Sequence, residues 1–244
     1  VVGPYVLSQP MAYYGATGTY FSDANPKEMI AEACALADNE IDFSQFDMNN
    51  DGIIDAVHVI FAGAGEASTG EGDAIWPHRW SIYPSDGFNI TFDGVRLKDY
   101  SCSGEKMGNG MDGIGTVCHE FGHVLGLPDL YDTDYEGSGG QATAINTWSI
   151  MASGSYNNYS NTPASFTAYE KYRLNWLQLD TLEVAGEYVL PPLMDSNKAY
   201  IITSPYNDEF FVFENRQRNS WDTYIPNDGG LIYHVKQEGD YDIN

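Results

Sequence analysis

The chain has 244 residues, 43% of them hydrophobic, with 18 tyrosines and 11 phenylalanines. That is enough apolar mass for one large domain, or a domain and a smaller module, and it excludes a disordered chain. Eleven basic against 35 acidic residues leave a formal net charge of −24, which argues against nucleic acid or an anionic membrane as a partner, and no apolar run reaches the roughly 18 residues of a membrane span.

The chain starts on "VVGPYVLSQP" and stops at "QEGDYDIN", which reads as a processed or excised piece of a longer protein, with signal and flanking segments missing. Residues 25–38, "NPKEMIAEACALAD", predict an amphipathic helix with Asn25 as cap and Pro26 in the first turn. "DMNNDGIID", residues 47–55, follows the first part of a calcium loop. Asp47, Asn49 and Asp51 alternate, Gly52 permits the sharp turn, Ile53 offers a main-chain carbonyl, and Asp55 stands at the ninth position. The twelfth position is His58 rather than a glutamate, so an Asx-rich turn without metal is the competing reading. "AVHVIFAG" (56–63) predicts a buried strand that carries His58 as a structural residue. "IWPHRWS" (75–81) reads as a packed aromatic segment around His78. Residues 87–102 predict a hairpin turning at Asp93-Gly94.

The chemistry concentrates in "VCHEFGHVLGLPDLYD", residues 117–132. A helix over about 112–126 puts Ile114, Val117, Cys118, Phe121, Val124 and Leu125 on one face, the expected core side. His119 and His123 fall together nearly opposite, one turn apart, with Glu120 beside them. That spacing lets two imidazoles reach one ion. Gly126 suits a helix end and Pro128 forbids continuation, so the chain turns and can bring Asp129 back towards the histidines. Zn²⁺ takes imidazole nitrogen and carboxylate oxygen. His119, His123 and Asp129 are the expected ligands, with Asp132 as a rival three residues on and Asp134 a more distant one. Glu120 is the expected general base, activating a metal-bound water.

Beyond the helix, residues 133–162 read as Gly/Ser/Tyr/Asn-rich loop. Residues 163–176 predict a second long helix. After about 178, "EYVLPPL", "AYIITSP", "EFFVFENRQ" and "GLIYHVKQ" predict strands, the last with His234 as a structural residue. Cys118 lies on the expected core face as a free thiol; a Cys34–Cys102 disulfide stays open.

"HEFGHVLGLPD" resembles the extended zinc motif of the metzincins, with aspartate in place of the last histidine. "WSIMASGSY" (148–156) is similar to their methionine turn, with Met151 as its methionine. Together with "IWPHRWS", "MAYYG" (11–15) and "FENRQ" (213–217), these segments resemble the immune inhibitor A-like secreted bacterial metallopeptidases. The resemblance implies an α+β fold: a metzincin-like catalytic domain, mixed sheet plus active-site helix, over residues 1–178, then a β-rich, truncated segment over 179–244. It implies a zinc-dependent endopeptidase acting on extracellular proteins or peptides, secreted or at the cell surface, with Met151 as packing support beneath the metal. The position two residues after the methionine, tyrosine in several metzincins, is Ser153, so no oxyanion role carries over to Tyr156. A binding module that has lost turnover is disfavoured by the presence of Glu120. A zinc hydrolase of non-protein amides is set aside only by the resemblance.

Overall fold

The computed structural model describes residues 1–16, 23–133, 137, 142, 144–206 and 209–236. Contacts divide the chain into two compact units, Val1–Asp112 and Gly113–Asn244. Both helices and sheets are present, so the fold is mixed α+β. Among the described residues no helix is long and apolar enough to cross a membrane.

The first unit begins with the short helix α1 (Met11–Gly15) and continues into α2 (Pro26–Ala37). Pro26 opens α2 where its missing N–H costs nothing. The Asn25 side chain does not cap the helix; it donates to the Tyr13 carbonyl at 2.8 Å. Met29, Ile30, Cys34 and Ala37 form the buried face of α2. The unit's main sheet is built on β5 (Asp99–Met107), which pairs parallel with β1 (Val57–Ala64) and antiparallel with β2 (His78–Ser81) and β6 (Gly110–Met111). The helix α3 (Glu66–Thr69) lies between β1 and β2 in sequence. Between β2 and β5 a minimal hairpin joins β3 (Thr91–Phe92) to β4 (Val95–Arg96). Asp93 and Gly94 take φ of +49° and +87° at its turn, the pair of left-handed residues that a tight hairpin needs. Only residues 91–96 of the expected 87–102 hairpin pair with each other; the following residues join β1 and β2 instead, because their apolar faces reach the core cluster around Ile30, Ile54, Leu97 and Tyr100.

The second unit opens on α4 (Ile114–Val124), followed by the described loop residues, α5 (Ala168–Arg173), β7 (Asp180–Thr181), α6 (Leu193–Ser196), β8 (Tyr200–Thr203), β9 (Glu209–Arg216) and β10 (Gly229–Lys236). The last four strands form one sheet in the order β10-β9-β8-β7, with β7 and β8 parallel and the other pairs antiparallel. The long helix expected over 163–176 is only α5. Thr167 and Glu170 form a reciprocal capping box that fixes its start, and Asn175 at φ +58° breaks its end. "EYVLPPL" is not a strand. Two prolines lack the N–H a ladder needs, and its contribution shrinks to an isolated bridge between Pro192 and Asn215. In β9, Phe210, Val212, Glu214 and Arg216 are buried. The strand therefore turns two apolar residues and then two charged ones to the same interior face.

Candidate metal centre

α4 ends in a fully hydrogen-bonded left-handed cap. Gly126 takes φ +95°, its N–H meets the His123 carbonyl at 3.0 Å, and Leu127 N–H reaches back to the Gly122 carbonyl at 3.0 Å. This cap buries Leu127 completely and turns its carbonyl onto His123 Nδ1 at 2.8 Å. The Ile150 carbonyl meets His119 Nδ1 at the same distance. A carbonyl only accepts, so both rings carry their proton on Nδ1 and present Nε2 as a lone pair.

Those two Nε2 atoms lie 3.2 Å apart. Asp129 Oδ1 stands 3.3 Å from that of His119 and 3.2 Å from that of His123. It is buried and, among the described residues, without a well-aligned hydrogen-bond donor. Among the described residues these three form the one group of at least three His, Cys, Asp or Glu donors whose ligand atoms lie within 4.8 Å of one another. A tetrahedral ion with bonds of about 2.0–2.1 Å sets its ligands roughly 3.3 Å apart, so the donor set fits zinc in kind and spacing. Burial alone would raise Asp129, but the two imidazoles outweigh it and hold the carboxyl below its usual range. Burial alone would depress His119, but Asp129 and Glu120 outweigh it and leave the ring raised. Three electron-rich atoms converging on one point favour a cation there. Asp132 is occupied otherwise, accepting from Ala142 N–H at 2.7 Å. Asp134 lies outside the described residues.

Glu120 is 6% exposed on the same helix, and burial pushes its carboxyl up to about 7. The polarity of α4 departs from the expected one: of the six apolar residues, Val117, Cys118 and Val124 are only half-buried. Ile114, Phe121 and Leu125 are exposed, while Gly115, Thr116, Glu120, Gly122 and His123 are buried. Hydrophobic periodicity assumes that the apolar stripe packs inward; here two glycines at the 115 and 122 positions let the helix lie on the loop that follows it. A Cβ at position 115 would stand 1.9 Å from the Ser155 carbonyl oxygen.

That loop carries Met151, fully buried with Leu127 and Ile150 and packed against Cys118. It runs between two short 3-10 turns, Asn146–Trp148 and Ser153–Tyr156. Tyr156 is exposed. Sequence reading missed what holds the loop. Glu170 Oε1 accepts from Ser149 Oγ at 2.5 Å and from Met151 N–H at 3.3 Å, and Arg216 Nη1 donates to the Trp148 carbonyl at 3.2 Å. The T-x-x-E box at 167–170 was legible as a helix start; its second task was not.

Residues 1–182 match the family described as immune inhibitor A peptidase M6, catalytic domain. The chain belongs to this family. It is 33% identical over 195 residues to Immune inhibitor A of Bacillus thuringiensis subsp. alesti, covering 66% of this chain and 27% of that protein. It is 32% identical over 215 residues to the Pre-pro-metalloprotease PrtV of Vibrio cholerae serotype O1 (strain M66-2), covering 75% of this chain and 23% of that protein. The chain thus spans about a quarter of the length of these relatives.

The second expected cation loop lies in the other unit. Asp47 accepts from the N–H groups of Asp51 (3.0 Å) and Gly52 (2.9 Å), Asp51 from Ile53 N–H (2.9 Å), and Asp55 from Met48 N–H (3.1 Å). Asn49 accepts from Asp51 N–H and donates to its carboxylate. Gly52 takes φ +80° and Asn50 φ +59°. The carboxylates of Asp47, Asp51 and Asp55 do not converge as the three zinc-type donors do. His58, at the twelfth position, sits in β1 between the hydroxyls of Ser101 (2.8 Å) and Ser103 (3.0 Å). His78 contacts the Trp76 carbonyl and the Tyr100 hydroxyl, and His234 pairs with Glu209. Cys34, Cys102 and Cys118 form no disulfide with one another.

Proposed function

We propose that this chain is the catalytic part of a zinc-dependent endopeptidase of metzincin-like build, with His119, His123 and Asp129 as metal ligands and Glu120 as general base. The observation that carries the reading is the convergence of His119 Nε2, His123 Nε2 and Asp129 Oδ1 at 3.2–3.3 Å, with that oxygen buried and, among the described residues, lacking a well-aligned donor. Zinc, when bound there, supplies the Lewis acidity that polarises a scissile carbonyl. Glu120 takes a proton from the attacking water and hands it to the leaving amine. Its carboxyl, raised by burial towards neutrality, is matched to that exchange near pH 7. Met151 supports the ligand helix from beneath and binds nothing.

Family membership and the name of the Vibrio relative support a proteolytic role. Extracellular proteins or peptides are the proposed substrates, and a secreted or cell-surface location goes with them. Residues 1–178 are proposed as the catalytic domain and 179–244 as a β-rich segment that follows it. Calcium in the 47–55 loop, held by Asp47, Asn49, Asp51, Ile53 and Asp55, is a further part of this reading, supported by the spacing and by Gly52 at its left-handed turn.

The reading is tested with Glu120→Gln against the parent, on a fluorescent protein substrate with and without a zinc chelator. The variant should bind one zinc per chain and melt like the parent, yet lose about 10²–10⁴-fold in turnover. Near-parental turnover in the variant would overturn the role of Glu120, and parental proteolysis indifferent to chelation would overturn the zinc peptidase.

A further inference from the structure

Two of the three proposed ligands lean on a single stretch of backbone. His119 Nδ1–H donates to the Ile150 carbonyl at 2.8 Å, and Leu130 N–H, next to Asp129, donates to the Met151 carbonyl at 2.8 Å. The Ile150 carbonyl and the Met151 N–H belong to the same peptide group. That N–H points away from the histidine and meets Ser149 Oγ at 3.0 Å and Glu170 Oε1 at 3.3 Å. The Glu170 carboxylate is fully buried and, among the described residues, accepts from Ser149 Oγ–H and Met151 N–H on one oxygen and from Thr167 N–H on the other. Glu170 therefore serves as an acceptor in each of these contacts.

We propose that Glu170 is a positioning residue for the metal centre, acting on His119 through the intervening Ile150–Met151 peptide. A metal-binding histidine commonly gives its second N–H to a carboxylate, which fixes the ring and makes it a stronger donor. Here the carboxylate stands one peptide further back. Its negative charge polarises the Met151 N–H, which makes the Ile150 carbonyl a better acceptor for His119, since hydrogen bonds in a chain strengthen one another in a buried setting. Ser149 adds a second strand to this chain, because its hydroxyl donates to Glu170 and accepts from the same N–H. Arg216 secures the turn one residue earlier. Its guanidinium is held by Glu214 and Asp222 and donates to the Trp148 carbonyl. The "FENRQ" segment thus has a physical task at a distance from the metal ligands.

This inference rests on the zinc reading above, and the experiment separates the two. Zinc affinity is measured by competition with a chromophoric chelator, and the His119 Nδ1–H proton is followed by NMR in the zinc-loaded protein. Glu170→Gln should weaken zinc binding by about 10–100-fold and move the His119 proton upfield. Ser149→Ala, which removes one of the two strands of the chain, should do the same to a smaller degree, and it carries the test if Glu170→Gln does not fold. Thr167→Ala is the control: it removes the hydroxyl cap from Glu170 N–H and should lower the melting temperature with zinc affinity and proton shift unchanged. Parental affinity in both Glu170→Gln and Ser149→Ala, or an equal loss in Thr167→Ala, would overturn the positioning role. If the parent binds no zinc, or binds it as well after His119→Ala, the zinc reading itself falls and this inference falls with it.

Discussion

Gly122 and Met151 occupy one another's space: a Cβ built on Gly122 would stand 2.4 Å from Met151 Sδ and 3.2 Å from its Cε. The glycine is therefore what lets α4 settle on the methionine. Glycine in a helix interior costs about 1 kcal/mol against alanine, so Gly122→Ala should stabilise unless packing opposes it. Met151 is fully buried, and forcing a methyl against it should cost about 1–3 kcal/mol. The sign should reverse in a Met151→Ala background, where the methyl enters vacated space. Chemical denaturation of the four proteins of this cycle decides it. Equal destabilisation in both backgrounds would show that Met151 is not what Gly122 accommodates.

The convergence of His119, His123 and Asp129 was legible because these residues sit in one helix and one turn. Residues 119, 120, 123, 126 and 129 are close in sequence, and helix geometry alone brings the histidines together. The burial of that helix was not legible. Its inner face carries Gly115, Thr116, Glu120 and His123, and a polar face turns inward only when backbone carbonyls such as those of Ile150 and Leu127 are waiting for it. Those carbonyls belong to residues whose side chains give no hint of the task. Arg216 and Trp148 are 68 residues apart, and Glu170 and Ser149 are 21 apart. Contacts of that range follow from the completed fold and leave no local pattern. The strands of the second sheet were legible where aromatic and β-branched residues run together, as in β9, and failed at "EYVLPPL", where the prolines should have weighed more.

Asp129 and Asp132 are separable by substitution. Asp129 contacts both imidazoles, while Asp132 caps a loop amide at residue 142. Asp129→Ala should lose most bound zinc. Asp132→Ala should weaken affinity by only about 10–100-fold, as loss of an outer carboxylate does. Zinc content after dialysis against a weak chelator reads the difference. Full occupancy in Asp129→Ala with loss in Asp132→Ala would reverse the assignment.

For the 47–55 loop, added calcium should raise the melting temperature through binding to the folded state. Asp51→Asn keeps an acceptor for Ile53 N–H but removes a charge, and should abolish the rise while leaving the calcium-free melting temperature close to the parent's. A parent protein that shows no calcium response after exhaustive chelation would leave the backbone-capping hydrogen bonds as the loop's whole content.

His58 gives the first unit a loss of stability in acid that has the same sign as that of a paired carboxylate but falls in a higher pH window. Burial in β1, between two serine hydroxyls, pushes the imidazole down to about 4. In the unfolded chain it protonates near its usual value of about 6.5. Between those two values the unfolded chain holds the extra proton, so its population grows as pH falls. The contribution of His58 to stability is therefore complete above about 6.5, declines through the window and is gone below about 4, a loss of up to about 3 kcal/mol by linkage. His58→Gln keeps a polar group between Ser101 and Ser103 but cannot titrate. Unfolding free energies of parent and variant, measured by denaturant at steps from pH 7.5 down to pH 4, should diverge with a steeper fall in the parent; the many carboxylates common to both cancel in the difference. Parallel curves over that window would mean that His58 is protonated as readily in the fold as outside it, and the buried neutral ring would have to be given up.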